Sequence, residues 1–261
     1  MDDDNQILDT KPLSSEVTAQ IAAVADQYRS ANTLLMKAIN YGASKAENTL
    51  KILPPATQEK FEVLVAAGLT KAYEAANWTQ PSSDSLLHTA LKRVAGEKAH
   101  RTVASVSGAI GGVAGLLTTT AEIPVTVALI LRSIQNIAME YGEDLNTEET
   151  RIECIKVFGS GSPLIDDDGV DIGFFGARVT LTGQAVQNVI SSVAPKLGAV
   201  LGQKLATQAV PVIGAVTGAG INYTFMTYYQ QMAHVRFRLR QIARENDMQL
   251  VLEAFKAAVD E

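Results

Sequence analysis

Three polar side chains recur every four residues in an otherwise apolar stretch of the chain. Arg132, Asn136 and Glu140 would lie along one edge of a helix, because residues four apart share a helical face. A helix this apolar buries an arginine only when a partner balances its charge. The spacing therefore predicts a buried ion pair or hydrogen-bond network around Arg132, with a ligand-lining role as the alternative.

A second set of charges has the same spacing near the carboxyl end. Arg236, Arg240 and Arg244 recur every four residues, with Arg238 beside them. Two interpretations remain open: an ordinary solvated face, or a surface for anionic lipid headgroups or phosphates. The apolar seam of the same helix occupies another face, so we expect the arginines to lie outside that packing. The seam comprises Phe225, Tyr228, Met232, Val235 and Leu239.

Neither a catalytic nor a metal centre is predicted from the remaining reactive residues. The three histidines, His88, His100 and His234, do not form the spacings typical of zinc ligands. Cys154 lies among aliphatic residues, where a buried thiol is the usual case. We therefore predict no catalytic residue, no metal and no cofactor.

Two further motifs resemble ligand-binding loops only superficially. The acidic run over residues 165–171 lacks the alternate spacing and closing glutamate of a calcium loop, which favours a solvated loop. The glycines between Gly108 and Gly115 follow no predicted strand and precede no Lys-Ser/Thr pair, so they are not a phosphate loop. Close packing between helices explains these glycines better.

Composition excludes several classes of protein. Among 261 residues, 47% are hydrophobic and 19% are charged, which is typical of a globular protein and not of a disordered one. The net charge of −6 argues against nucleic-acid binding, which needs a concentrated basic face. A single cysteine excludes an intrachain disulfide, and the acidic start of the chain is unlike a signal peptide. We expect a cytoplasmic protein, with peripheral membrane attachment as an extension.

Helical periodicity dominates the chain, and no run alternates with period two for long enough to predict a sheet. The sequence predicts an all-α fold, a single multi-helix domain over residues 14–261 that follows a disordered acidic terminus over residues 1–13. Thr119-x-x-Glu122 has the form of a capping box, with Pro124 in the first turn of the helix that follows. Gly142 ends that helix. Further helices are expected over residues 14–50, 57–77, 84–100, 146–158, 174–193, 196–208, 221–242 and 248–259.

Two glycine-rich segments contain no charged residue. They cover residues 102–121 and 205–233, and each precedes or enters an amphipathic helix. Glycine costs an isolated helix about 1 kcal/mol relative to alanine, so it is tolerated where another backbone packs closely. We predict that the two segments form helical hairpins that pack together as the core. The structural glycines would be Gly108, Gly112, Gly115, Gly214 and Gly218.

Several ordered sequence blocks resemble the EcsC family of bacterial proteins. The family is named after a protein encoded beside an ABC-transporter pair, and the resemblance implies no defined reaction. It implies a possible membrane-protein partner and extends over about residues 45–245. The blocks are Ser107-Gly-Ala-Ile-Gly-Gly112, Glu122-Ile-Pro-Val-Thr126, Leu131-Arg-Ser-Ile134, Tyr141-Gly-Glu-Asp-Leu145, Cys154-Ile-Lys-Val-Phe158, Ala209-Val-Pro-Val-Ile-Gly-Ala215, and Ile221-Asn followed by Phe225-Met.

Three functional hypotheses from different classes follow. The leading one is a non-enzymatic protein that contacts anionic lipid or a membrane surface through its glycine-rich hairpins and basic helix. The second is an interaction module for a membrane transporter. The third is a hydrolase using Glu140, Asp144 or His234 in a helical cleft, which lacks a nucleophile–base pair at a familiar spacing.

Overall fold

The computed structural model describes part of the chain, and that part is helical. No strand occurs within the described ranges, so the predicted all-α class is confirmed. Five helices have defined bounds: α1 (Ser15–Ala46), α2 (Leu116–Glu140), α3 (Glu148–Lys156), α4 (Gly214–Ala243) and α5 (Met248–Asp260). Residues 65–71 and 186–195 are also helical. The described residues are 12–46, 63, 65–71, 73–74, 116–159, 186–195, 197 and 214–261.

Much of the glycine-rich prediction lies outside these residues. Gly108, Gly112 and Gly115 are not described, whereas Gly214 and Gly218 belong to the first turns of α4. The acidic run over residues 165–171 is also outside the described part. The packing of two glycine-rich hairpins therefore stays a prediction.

The beginnings of α3 and α5 follow the local signals in the sequence. The Thr147 side chain accepts a hydrogen bond from the Thr150 N–H at the start of α3. Asp247 accepts from the N–H groups of Gln249 and Leu250 at the start of α5. Both residues satisfy backbone donors that the first helical turn leaves free.

The predicted beginning of α2 is wrong. The helix starts at Leu116, so the Thr119–Glu122 pair and Pro124 lie inside it and not at its first turn. A proline in a helix interior removes one backbone hydrogen bond. The capping box and first-turn proline are local signals, and the tertiary packing of the apolar residues that follow overrides such signals.

Helices α2 and α4 pack against each other and run in the same direction. Near the middle of both helices, the Gln230 side chain donates to the Ser133 hydroxyl over 2.7 Å. Further along both, the Tyr141 hydroxyl lies 3.1 Å from His234 Nδ1. Because the paired positions advance together, the amino-terminal ends of α2 and α4 lie at the same end of the bundle.

Helix α1 crosses α4 in the opposite direction. Arg238 donates to the Gln20 side chain, and Gln27 donates to Gln231. Residues later in α1 therefore pair with residues earlier in α4, so the two helices are antiparallel. When this antiparallel register is extended along both helices, the carboxyl end of α1 lies level with the amino ends of α2 and α4. Among the described residues, one half of the bundle therefore contains residues 30–46, 116–131 and 214–228.

The described helical stretches of this half are almost free of charge. Residues 214–228 contain no charged residue, and residues 116–131 contain only Glu122. Residues 30–46 contain only Lys37 and Lys45. We call these three helical stretches the uncharged half.

The core contains buried residues from all five helices and from residues 65–69 and 186–197. Helix α5 is amphipathic and buries Val251, Leu252 and Phe255, with Phe255 meeting Tyr28 edge to face at 5.8 Å. Helix α4 is buried on several sides, since Val235, Arg236 and Phe237 are all 1% exposed or less. Among the helices described, none is both long and apolar enough to cross a bilayer.

Candidate functional site

Glu153 is a carboxylate buried in the middle of the structure. It lies on α3, where an unbroken run of buried residues extends from Ile152 to Gly159. Arg236 of α4 donates from Nε to Glu153 Oε2 over 2.7 Å, and its Nη2 forms a second short contact with the same oxygen. Lys156 Nζ bonds the other carboxylate oxygen at 3.0 Å. Three charged groups are thus buried together, and each depends on the others for compensation.

Arg240 lies one turn beyond Arg236 and connects three segments of chain. Its Nε and Nη2 donate to the two oxygens of Glu143 over 3.0 and 3.2 Å, a bidentate arrangement. Its Nη2 also lies 3.0 Å from Glu149 Oε1, and its Nη1 lies 3.8 Å from Glu153 Oε2. This arginine therefore joins α4 to the α2–α3 turn and to α3.

Gly142 explains how Glu143 reaches α4. Its φ of 75° lies in the left-handed region that favours glycine. The Glu143 N–H donates to the Ala138 carbonyl and the Gly142 N–H donates to the Met139 carbonyl, both over 3.0 Å, which is a Schellman cap of α2. The turn directs the Glu143 carboxylate towards α4, where Arg244 also donates to it over 2.8 Å.

Together these groups form what we call the charge cluster. It ties α3 and the α2–α3 turn to the carboxyl-terminal part of α4, opposite the uncharged half. Its positive groups nearly balance its negative groups, so it presents little net charge to the solvent. Its members are Glu143, Glu149, Glu153, Lys156, Arg236, Arg240 and Arg244.

The ionisation of the cluster is set by burial and by its own ion pairs. Burial favours the neutral form of Glu153, but Arg236 and Lys156 outweigh it and lower the pKa of this carboxyl. The pKa of Glu143 is also lowered, because its hydrogen bonds to Arg240 and Arg244 outweigh its burial. For Arg240, burial lowers the pKa and the Glu143 and Glu153 carboxylates raise it by more. The cluster is therefore held in its charged form.

The sequence predicted that the arginines of α4 lie outside the packing of its apolar seam. The structure does not place the whole series there. Arg236 is only 1% exposed, and that expectation is wrong for it. Arg240 is largely buried in ion pairs, while Arg244 is exposed and also donates to the Tyr141 carbonyl over 3.0 Å. The four-residue spacing was correctly identified, but the helix has neighbours on more than one side.

Among the described residues, Arg132 makes no ion pair, whereas Arg236 makes a buried one with Glu153. Arg132 is half-buried, and within the described part of the chain its hydrogen bond goes to Gln135 at 3.4 Å, one turn away. Burial lowers the pKa of its guanidinium. Asn136 is half-buried and Glu140 is exposed, and no hydrogen bond described here joins either of them to Arg132.

Replacing Arg132 by alanine should therefore lower the free energy of unfolding by about 1 kcal/mol or less. The reason is that one long hydrogen bond, from the half-buried Arg132 to the buried Gln135, contributes little net stability. Urea unfolding of the wild type and the variant measures the difference. A loss near 3 kcal/mol, the size expected when a buried ion pair is broken, would contradict this assignment.

The residues proposed for a hydrolase are spread over different environments. His234 is half-buried, with its ring packed edge to face against Tyr141 at 5.7 Å. Asp144 is exposed and accepts hydrogen bonds from the backbone and side chain of Asn146. Cys154 is fully buried, and burial raises the pKa of its thiol. Within the described ranges, no three His, Cys, Asp or Glu side chains are grouped as metal ligands.

Glu143, Glu153 and Lys156 were not predicted from the sequence as partners of the arginines. A signal was present, since Glu153 and Lys156 interrupt an apolar run from Ile152 to Phe158. Charged residues within such a run are buried only when they are paired. Glu143 also follows Gly142, so a helix cap directly precedes it.

Comparison with known proteins identifies a family. The model of the EcsC protein family matches residues 16–164 and 177–242. Uncharacterized protein YdbA of Bacillus subtilis (strain 168) is 29% identical over 153 residues, which cover 53% of this chain and 53% of that protein. The chain thus matches only about half the length of this relative. No solved structure matches the chain.

Proposed function

The chain belongs to the EcsC protein family, and on this premise we propose that it is a non-enzymatic helical protein that associates peripherally with membranes. The contact would be made by the uncharged half and by the glycine-rich segments that lead into α2 and α4. The charge cluster would hold the helices in place and would not touch lipid. This differs from the sequence-based hypothesis, which assigned the arginines to the lipid contact.

The observation that carries the proposal is the common direction of α2 and α4. The hydrogen bond between Ser133 and Gln230, together with that between Tyr141 and His234, gives this direction. Because the two helices start level, the chain enters both from the same end of the bundle. Two uncharged stretches that are far apart in the sequence therefore contribute to one half of the molecule.

Exposed apolar side chains support the assignment of the uncharged half as the membrane contact. Leu34 is 41% exposed and Tyr223 is 46% exposed. The register set by Gln27 and Gln231 places these two residues level with each other on adjacent helices. Peripheral proteins bind membranes by burying such apolar side chains at the boundary of headgroups and acyl chains.

The charged groups of the described core support a non-enzymatic assignment. Glu143 and Glu153 are held ionised by several cations each, which is typical of structural ion pairs. A general acid or base needs a pKa closer to the working pH. The raised pKa of the Cys154 thiol likewise opposes a role as a nucleophile.

Replacing Leu34 by glutamate should weaken binding to vesicles about tenfold. The change removes an apolar contact and introduces a charge that must stay in water, and a tenfold loss corresponds to about 1.4 kcal/mol. Co-sedimentation of the purified full chain with phospholipid vesicles measures the bound fraction. Thermal unfolding of the same samples shows that the variant is folded.

Met139→Glu is the matched control for this experiment. Met139 is 48% exposed, but it lies at the other end of α2, next to the charge cluster. Its substitution should leave vesicle binding within about twofold of the wild type. Equal losses in both variants would contradict the assigned contact. Failure of the wild type to bind any vesicle would favour the alternative function, an interaction module for a membrane protein.

A further inference from the structure

We propose that α4 binds a small soluble anion, a carboxylate or phosphate group, between α1 and α2, with Arg238 as the residue that pairs with its charge. Such a site is independent of the proposed membrane association. The features that point to it are a line of half-buried polar side chains on α4, the neutral partners of Arg238, and the distance of Arg238 from the uncharged half.

One line of polar side chains on α4 keeps access to solvent. Its members recur three and four residues apart, so they share one face of the helix. Each of them is half-buried, whereas the other residues from Phe225 to Ile242 are buried, Arg240 excepted. We call these residues the polar line: Gln231, His234, Arg238 and Gln241.

Hydrogen bonds on both sides place the polar line between α1 and α2. On the α1 side, Arg238 Nη2 donates to Gln20 Oε1 over 3.1 Å. On the α2 side, the Tyr141 hydroxyl lies 3.1 Å from His234 Nδ1. Among the described residues, α1 and α2 pack on α4 far more than on each other. A ligand that reaches the polar line would therefore meet side chains from three helices.

Arg238 is held in the polar line by neutral partners. Its Nη1 donates to the Gln241 side chain and its Nη2 to that of Gln20. These two bonds orient the guanidinium, and no carboxylate in the described part of the chain pairs with it. A guanidinium has five N–H donors in a planar fork that matches a carboxylate or a phosphate. Arg238 thus offers an oriented cation to an anion from outside the protein.

The neighbouring arginines of α4 are already neutralised. Arg236 pairs with Glu153, and Arg240 pairs with Glu143. Residues two apart point to nearly opposite sides of a helix, so Arg238 faces away from these carboxylates. The charge that remains uncompensated on α4 is therefore on the side of the polar line.

Two exposed carboxylates limit where the anion can lie. Glu16 comes one turn before Gln20 on α1, and Glu245 follows the end of α4. Because α1 and α4 are antiparallel, both carboxylates lie towards the carboxyl end of the polar line. Neither pairs with Arg238 in the described structure. We therefore expect the anion on the His234 side of Arg238, away from their repulsion.

The position of Arg238 favours a dissolved anion over a lipid headgroup. Ten residues of α4 separate Arg238 from residue 228, where the uncharged half ends, and they span about 15 Å of helix. Arg238 is instead level with the charge cluster, between Arg236 and Arg240 in the chain. A headgroup at the proposed membrane contact would not reach it.

Inorganic phosphate and succinate are suitable probes for the full chain. At about ten times its dissociation constant, measured by titration calorimetry, a bound anion should raise the melting temperature by about 3 °C. Sodium chloride at equal ionic strength is the reference. A rise with phosphate alone would assign a phosphate ligand, and a rise with succinate alone would assign a carboxylate. No rise with either probe would overturn the inference and leave membrane association intact.

Gln20→Glu tests Arg238 as the anion's partner while keeping the shape of the site. The new carboxylate would lie where the Gln20 amide accepts from Arg238, and it would neutralise the guanidinium. The melting temperature without ligand should not fall, whereas affinity for the probe should fall about tenfold or more. Unchanged affinity in this variant would overturn the inference.

Removing single positive charges locates the site. Arg238→Gln should abolish the rise in melting temperature, and Lys256→Gln, at an exposed position on α5, should keep it in full. Arg132 is the rival site, because it is also half-buried with a neutral partner. A rise that is lost in Arg132→Gln and kept in Arg238→Gln would overturn the inference.

Discussion

Replacing Glu153 by glutamine should lower the free energy of unfolding by about 3–5 kcal/mol, the usual cost of breaking a buried ion pair. The substitution keeps the size of the side chain but leaves Arg236 and Lys156 buried without their shared counter-charge. Arg240 lies 3.8 Å from the same carboxylate, so a third cation also loses an attractive partner, although Glu143 still binds it. Urea unfolding followed by circular dichroism measures the change.

Glu149→Gln provides the control for this prediction. Glu149 is also an ion-pair partner of Arg240, but its side chain is 60% exposed. Water replaces such a partner readily, so the loss should stay below about 1 kcal/mol. Similar losses of unfolding free energy in the two variants would show that burial does not determine how much an ion pair of the charge cluster stabilises the protein.

Acidification should destabilise the protein steeply, starting as the pH falls below about 4.5. The pKa values of Glu143 and Glu153 are lowered below this ordinary value in the folded state. Their contribution to stability is therefore complete above pH 4.5 and is lost as the pH falls through the lowered values. Protonation of Glu153 would leave Arg236 and Lys156 buried without a counter-charge, so we expect unfolding and not local loosening.

Thermal unfolding over a series of pH values tests the acid prediction. The melting temperature of the wild type should decrease as the pH falls below 4.5. The melting temperature of Glu143→Gln should depend less steeply on pH, because one titrating group is missing. A melting temperature that stays constant down to pH 3 would contradict the assigned ion pairs. Asp144 adds to the acid dependence, because the hydrogen bonds from Asn146 lower the pKa of its carboxyl.

Local signals in the sequence predicted most of the described helices. The helix ends at Gly142, Thr147 and Asp247 follow from single residues whose preferred backbone conformation or side-chain hydrogen bond acts within one turn. Helical periodicity likewise predicted the all-α class, because an apolar face recurs with the same period in each helix. The EcsC resemblance was confirmed by a family match over most of the chain.

The charge cluster could not be assembled from local signals. Spacing predicted that Arg236, Arg240 and Arg244 share one edge of α4, but not what that edge contacts. Their partners, Glu143 and Glu153, come from segments that are 83 to 101 residues away in the sequence. Only the tertiary structure brings these groups together, and it also shows that Arg132 is not the arginine that makes the buried ion pair.

The sequence by itself determined the helices, their apolar seams and the absence of charge from two long segments. The tertiary structure decided which helices are neighbours and in which direction they run. The physical reason is that a helical period defines faces on one helix, whereas burial depends on how many other helices surround it. Val235, Arg236 and Phe237 point in different directions from α4 and are all buried, since α4 packs against α1, α2 and α5. A single apolar seam identified from helical periodicity therefore underestimates how much of a central helix is buried. For this reason Arg236, which the sequence assigned to solvent, is part of the core.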